Sequence, residues 1–233
     1  MAEDSTRLSK LLAIHLGVGR RQADLYIEQG RVTRNGKTAV LGERGDPSDT
    51  ITLDGKPLTL AQSPVFTYLL LNKPPGYVCS RRQQGDAPTI YALLPDEYHN
   101  LQPVGRLDKD SSGLLMLTND GDTALRMTHP RFAKTKQYEI ALDAPLAPLH
   151  RQMISDHGIA LPDGISKLQL ERMTEGDDRQ WRVVMHEGRN RQIRRTFSAL
   201  GYTVGKLHRT AFGAYQLQDL PAGQWQAIPA PSI

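Results

Sequence analysis

The residues best suited to chemistry lie in Gly105-Arg106-Leu107-Asp108-Lys109-Asp110-Ser111-Ser112-Gly113, a polar stretch bounded by glycines and followed by the apolar run Leu114-Leu115-Met116-Leu117. A carboxylate flanked by cations and delivered on a loop beside a buried strand is one way to hold an ionised nucleophile. Asp108 is the candidate. A plainer role is open to it as well, because an aspartate in a Gly-rich turn commonly caps that turn with its own side chain. Asp110 and Ser111 compete with it for either role.

The second stretch is His186-Glu187-Gly188-Arg189-Asn190-Arg191-Gln192-Ile193-Arg194-Arg195. Its spacing predicts a helix over residues 189–200, with Ile193, Phe197 and Leu200 on an apolar face. Arg189, Arg191, Arg194 and Arg195 then crowd the N-terminal turns, where the helix dipole disfavours positive charge. Such a helix loses stability unless an anion compensates. Six basic residues between His186 and Arg209 (Arg189, Arg191, Arg194, Arg195, Lys206 and Arg209) face the single acid Glu187, which favours an anion-binding surface over a merely solvated one.

Arg20, Arg21, Arg31, Arg34 and Lys37 form another basic group near the N-terminus. Two such surfaces on linked modules would lengthen a footprint on a polynucleotide, so RNA or DNA is expected before a lone phosphate. Tyr138, in Thr135-Lys136-Gln137-Tyr138-Glu139-Ile140, shares a strand face with Lys136 and Ile140. A buried tyrosine with a satisfied hydroxyl is its plainer reading.

The elements that must position these residues follow from the rest of the chain. Its 233 residues, 39% hydrophobic and 23% charged, can bury a core and suit a small module plus a larger domain. Lys and Arg number 29 against 25 Asp and Glu, a net charge of +4 that favours an anionic partner. The lone Cys79 excludes an intrachain disulfide and a thiolate metal cluster, and after Tyr77-Val78 it reads as a half-buried small side chain. Seven histidines offer no spaced ligand pair with a third donor, so no metal is expected. No phosphate-cradling, dinucleotide-binding or nucleophile-elbow glycine motif is present. Met1-Ala2-Glu3-Asp4 lacks a basic start and a signal core, and no apolar run reaches membrane-spanning length. A soluble, cytoplasmic protein is the expectation.

Leu8, Leu11, Leu12 and Leu16 recur at helical spacing, Gly17-Val18-Gly19 breaks the pattern, and a second helix opens near Arg20 and closes at Gly30. Asn35-Gly36 and Asp54-Gly55 are hairpin signals, so residues 5–62 read as two helices and a small sheet. Ala61-Gln62-Ser63 and Pro64 make a linker. A larger domain over residues 65–230 follows, opening with an apolar run too continuous for an exposed strand. Further strands are expected at residues 113–118, near 136–142 and on either side of 175–178, with helices near 122–127 and 146–156. Helices inserted singly among strands predict an α+β fold, with a mixed, mostly antiparallel sheet flanked by helices.

Gly105-Arg106-Leu107-Asp108, Ser112-Gly113-Leu114-Leu115, Lys136-x-Tyr138 and Glu187-Gly188-Arg189-Asn190-Arg191-Gln192-Ile193-Arg194-Arg195, in that order, resemble the motifs of the RsuA-type pseudouridine synthases. Lys73-Pro74-Pro75-Gly76-Tyr77 resembles the family's entry strand and loop, and Leu207-His208-Arg209 with Gly213 its closing strand. The front module resembles the alpha-L RNA-binding motif named for a ribosomal small-subunit protein. The resemblance implies the pseudouridine synthase fold and the isomerisation of a uridine in structured RNA, usually ribosomal, by breaking its N1–C1′ bond, turning the base and rejoining it through C5.

No cofactor is implied. The implied partner is ribosomal RNA or a ribosome-assembly intermediate, met by a monomer, and the absence of a long basic C-terminal extension leans toward small-subunit RNA. Carried over by motif, Asp108 is the essential carboxylate. Tyr138 is the aromatic packing on the base and a candidate for taking the C5 proton. Arg194 is the basic residue that pairs with the aspartate, and Arg106 holds the target nucleotide once it leaves the helix. Three routes are open to Asp108: attack on C1′, attack on C6, or assistance of elimination to a glycal. A non-catalytic RNA-binding factor and a glycosidic hydrolase are the competing readings, the latter wanting a second carboxylate for which Asp110 is the nearby candidate.

Overall fold

The leucine spacing at the N-terminus builds the first of two short helices. In the computed structural model, which describes residues 5–46, 48–58 and 65–231, β1 (Thr6–Arg7) leads into α1 (Leu8–Leu16), and Gly17 ends that helix in the left-handed region at φ 63°. After α2 (Arg20–Glu28) come β2 (Val32–Arg34), β3 (Lys37–Thr38), β4 (Arg44–Gly45), β5 (Ile51–Leu53) and β6 (Lys56–Leu58). Leu8, Leu12, Ala23, Ile27, Val32 and Ile51 form one apolar core. The antiparallel sheet runs β3-β2-β5-β6, and both residues of each turn, Asn35-Gly36 and Asp54-Gly55, have positive φ, as the tight hairpin turn favoured by right-handed strand twist requires.

The chain divides into two compact units between Phe66 and Thr67. The linker expected at residues 61–64 and the terminus at residues 1–4 lie outside the described residues.

The second unit contains β7 (Tyr68–Lys73), β8 (Gln102–Val104), β9 (Ser112–Thr118), α3 (Gly121–Thr128), β10 (Lys136–Leu142), α4 (Pro148–Gln152), β11 (Ile159–Leu161) and β12 (Gly164–Ser166). It continues with β13 (Gln169–Arg172), β14 (Gln180–Met185), α5 (Gln192–Ser198), β15 (Val204–Phe212), β16 (Tyr215–Gln216) and β17 (Trp225–Ile228). Its main sheet runs β13-β14-β10-β15-β9-β7-β17, with β16 on β15 and β8 on β9. Among the described residues, β9 and β15 are the one pair of that sheet in parallel; the other pairings are antiparallel. The α+β architecture with a mixed, mostly antiparallel sheet is therefore the one expected. All six residues of β7 are buried, which explains its lack of alternation: Leu69 and Leu71 pack into one core with Leu115, Leu117 and Trp181, and Leu70 into another with Leu114 and Met116.

Two elements differ from expectation. The helix read over residues 189–200 is only Gln192–Ser198, and Arg189 and Arg191 precede it. Arg191, its N-cap, sits in the left-handed region at φ 46°, which ends helical geometry on that side and turns the side chain toward the Asp108 loop. The helix read near 146–156 is α4 continued by a wider turn, Met153–His157. β8, the β11–β12 hairpin, β16 and β17 are additions to the expected elements, although Asp163-Gly164 is an ordinary turn signal.

Candidate active site

Asp108 lies on the loop between β8 and β9, and several contacts hold that loop in place. The amide of Ser111 donates to the Asp108 carbonyl at 3.1 Å, and that of Gly76 to the Lys109 carbonyl at 2.7 Å. Beneath the loop, Lys73 is fully buried at the end of β7. Its Nζ donates to the carbonyls of Ser111 at 2.6 Å, Pro74 at 3.0 Å and Asp108 at 3.1 Å. With the Lys109 carbonyl at 3.5 Å as a longer fourth contact, the three donors of the ammonium group are fully engaged, and burial draws Lys73 below the ordinary lysine range against the opposing pull of Cys79, Asp110 and Asp108. Cys79 is half-buried, its Sγ accepting a 3.5 Å contact from the Leu107 amide. Burial pushes its thiol pKa up, which disfavours a thiolate nucleophile.

The partner of the Asp108 carboxylate is Arg191, with Nη1 3.3 Å from Oδ2; the same nitrogen lies 3.3 Å from Asp110 Oδ1. Arg194, read as the aspartate's partner, instead meets Asp110 Oδ2 at 3.2 Å and also donates to the Val204 carbonyl. The reason is geometric: Arg191 stands ahead of α5 in left-handed conformation, while Arg194 is already inside the helix. Burial raises Asp110, but the hydrogen bond from Arg191 and the charges of Arg194 and Arg191 outweigh it and hold this carboxyl below its ordinary range.

The anion required by so basic a segment is supplied largely by this chain. Arg195 donates both terminal nitrogens to Asp163, at 3.1 and 2.7 Å. Arg189 reaches the same carboxylate at 3.0 Å, the carbonyls of Gly164 and Ile165, and Glu187. These two arginines thus tie the start of α5 to the β11–β12 hairpin, a structural use that the charge run did not reveal. Ser166 of that hairpin is fully buried and bonded to Gln192 and Thr196.

Asp108, Arg106, Tyr138, Lys136, Arg191 and Arg209 all line one cavity of about 300 Å³, at the small end of the ~300–1,000 Å³ typical of ligand pockets. Tyr138 and Arg209 are cross-strand partners on β10 and β15, as are Lys136 and Phe212. Tyr138 is 8% exposed and Arg209 only 2%, whereas the Asp108 side chain is 30% exposed. The carboxylate therefore stands nearer the mouth and the guanidinium at the floor. Arg209 Nε donates to the Leu114 carbonyl at 2.7 Å, and its guanidinium lies 4.9 Å from the Phe212 ring centre, but its Nη2 has no hydrogen-bond partner. Lys136 Nζ stands 5.5 Å from the same ring centre, with a long 3.4 Å contact to the Glu187 carbonyl. Burial, and then the charge of Arg209, lowers the Lys136 pKa against the opposing Glu187. In the sequence Lys136 stands out only as the companion of Tyr138 in Lys136-x-Tyr138.

In the first unit, Arg31 forms a bidentate pair with Asp54, at 2.8 and 2.7 Å, and Arg34 bridges Asp49 and Glu43, each at 2.8 Å. Arg20, Arg21 and Lys37 are exposed and form no ion pair among the described residues. The expected basic group is thus divided into two internally paired cations and three open ones.

A mixed sheet that sets a carboxylate at the mouth of a cavity lined by basic and aromatic side chains suits an enzyme acting on an anionic, base-bearing substrate, and a model of the RNA pseudouridylate synthase family matches residues 67–199. The chain belongs to that family. It is 36% identical to the ribosomal large subunit pseudouridine synthase B of Pseudomonas aeruginosa, over 95% of this chain and 59% of that protein. It is 35% identical to the ribosomal small subunit pseudouridine synthase A of Pasteurella multocida, over 97% of both. A pseudouridylate synthase crystal structure, 33% identical, superposes with a TM-score of 0.68 over 97% of this chain and 96% of that one.

Proposed function

We propose that this chain isomerises a specific uridine of ribosomal RNA to pseudouridine, with Asp108 as the essential carboxylate. The observation that carries the reading is Asp108 at the cavity mouth, paired with Arg191 at 3.3 Å and facing a cavity that Tyr138 also lines. A guanidinium stays charged at any working pH and favours the ionised form of a neighbouring carboxylate. Tyr138 packs on the extruded base, and its phenol is the candidate to take the C5 proton once the new carbon bond has made that proton acidic. Extrusion costs a few kcal/mol of stacking, repaid by cavity contacts and phosphate grips. Arg106 and Arg191 grip the target nucleotide at the mouth. Arg194 acts through Asp110, as a positioning residue for the loop.

The small-subunit RNA is the preferred substrate, supported by the end-to-end match to the Pasteurella multocida small-subunit enzyme. The first unit is an alpha-L-type RNA-binding module, for which the exposed Arg20, Arg21 and Lys37 are the available phosphate contacts. The protein works as a cytoplasmic monomer on ribosomal RNA or an assembly intermediate; among the described residues no helix is long and apolar enough to cross a membrane.

Pseudouridine mapping of ribosomal RNA from cells with and without the protein tests the activity and locates its target. Asp108→Asn should leave the mapped uridine unmodified while RNA binding persists. A variant that still forms pseudouridine there would remove Asp108 from the chemistry.

A further inference from the structure

We infer that Lys136 and Arg209 form a paired cationic floor that binds the carbonyl oxygens of the target uracil and stabilises the negative charge the base acquires during the reaction. The inference rests on reading the cavity as the seat of that uridine. It begins from a contrast in how charge is compensated. Arg189, Arg191, Arg194 and Arg195 each have a carboxylate within 3.3 Å. Among the described residues, neither Lys136 nor Arg209 has one within the 4.0 Å of an ion pair.

Two uncompensated cations side by side, one of them almost fully buried, are costly to maintain. Arg209 Nη2 is one of several buried side-chain nitrogens without a hydrogen-bond partner, Nε of Arg189, Arg194 and Arg195 among them, so what sets Arg209 and Lys136 apart is the missing carboxylate. Both side chains line the cavity. An arrangement of that kind is stable in a folded chain when the rest of the fold imposes it, and it becomes favourable when an acceptor arrives.

Depth identifies the acceptor. Asp108 must reach the sugar or the near edge of the ring, and it stands at the mouth, 30% exposed. The phosphates on either side of an extruded nucleotide stay outside that point, and what passes it is the base. At 2% exposure, Arg209 is beyond the reach of a backbone phosphate, and the part of its side chain that lines the cavity is left to O2 or O4 of uracil.

The charge demand holds for every route open to Asp108. Displacement at C1′ forms the carboxylate oxygen–C1′ bond as the N1–C1′ pair leaves with N1 and spreads onto O2 and O4. Elimination to a glycal moves a C2′ proton to the carboxylate and sends the same pair to the base. Addition at C6 forms the oxygen–C6 bond and moves the C5=C6 pair through C4 onto O4. In each, charge grows on oxygen atoms where fixed donors in a dry site are most effective. Lys136, with its pKa lowered by burial and by Arg209, has a proton held less tightly than usual and shares it readily with such an oxygen.

The test uses the full chain and a transcript containing the mapped uridine, prepared with uridine or with 5-fluorouridine at that position. The fluorine already makes the departing or attacked base a better electron acceptor, so it should lessen the need for a cationic floor. Because the fluorinated base has no C5 proton to lose, its reaction stops short of pseudouridine, so the rate read on both RNAs is the disappearance of the N1-linked nucleoside. Single-turnover values at saturating protein are compared for wild type, Lys136→Met, Lys136→Gln and Arg209→Lys, normalised to the protein that binds RNA stoichiometrically. The Lys136 variants should react with uridine about 100-fold more slowly, the scale of one lost oxyanion donor, with little change in Kd and a clearly smaller defect on 5-fluorouridine. Arg209→Lys, which keeps the charge but loses the fork, should fall between.

Equal proportional losses on the two RNAs, or no loss at all, would overturn the inference. A loss confined to Kd with a shallower salt dependence would also overturn it, making these residues phosphate contacts. If wild type forms no pseudouridine in the uridine transcript, the reading of the site fails first and takes this inference with it.

Discussion

At the scale of single residues, the site depends on groups that never face the cavity. Lys73 is the clearest case: a fully buried ammonium whose hydrogen bonds all go to the backbone around Asp108. Replacing it with methionine keeps the volume and leaves buried carbonyls unpaired, at about 1–3 kcal/mol. Lys73→Met should lower the unfolding free energy by that amount, read as a lower urea midpoint at unchanged slope, and slow single-turnover pseudouridine formation, although Lys73 does not touch the base. An unchanged midpoint would mean that the loop is held by its own turns alone. Asp108, Tyr138 and Arg106 were recognisable from their motifs, but the ion pair was not. Arg191 and Arg194 are three residues apart, and which of them reaches Asp108 depends on where α5 begins.

Among the elements, β10, β15 and the segment leading into α5 line the cavity with the Asp108 loop, and β9 fixes where that loop meets β15. Gly113 on β9 pairs with Arg209 on β15, and a Cβ there would lie 2.2 Å from the Arg209 carbonyl oxygen at a φ of 106°. Gly113→Ala should cost about 3 kcal/mol, toward the upper end for overpacking, and should abolish activity by separating the strands that hold Asp108 and Arg209. Calorimetry and a rate measurement together check this.

At the start of α3, Asp120 accepts from the amides of Asp122 and Thr123, at 3.0 and 3.2 Å, and from the Tyr68 hydroxyl at 2.9 Å. Loss of such a cap costs about 0.5–2 kcal/mol, which denaturant titration of Asp120→Ala should show. Burial, and then the bond to Asp120, pushes Tyr68 from 10.0 up to about 12. A folded value above the unfolded one means that this contribution to stability is complete below pH 10 and lost as pH rises through about 12,. In Asp120→Ala the tyrosinate absorbance step should move down toward 10, and alkaline unfolding should begin earlier.

For the whole molecule, the distribution of paired and open cations predicts how RNA binding responds to salt. Arg20, Arg21 and Lys37 are open, and neutralising any one of them should reduce the slope of log K against log salt by roughly 0.7–0.9. Substituting Arg31 or Arg34 should instead weaken the first unit, because each holds carboxylates on its own sheet. Filter binding across a salt series, paired with thermal melts, separates the two groups.

The sequence by itself determined the helices and hairpins of the first unit, the buried run of β7 and the α+β class, and it singled out Asp108, which the fold sets at the cavity. These follow from short-range periodicity, turn chemistry and contiguous motifs, which a linear chain displays directly. Only the tertiary structure decided which arginine meets Asp108, that Asp163 takes up Arg189 and Arg195, that Lys73 fastens the loop from beneath, and that Lys136 and Arg209 are left without a carboxylate. Each of those outcomes depends on the distance between charges far apart in the chain. Coulombic pairing and burial are properties of positions in space, and a charge run has the same composition whether its partners are solvent, RNA or the protein's own carboxylates.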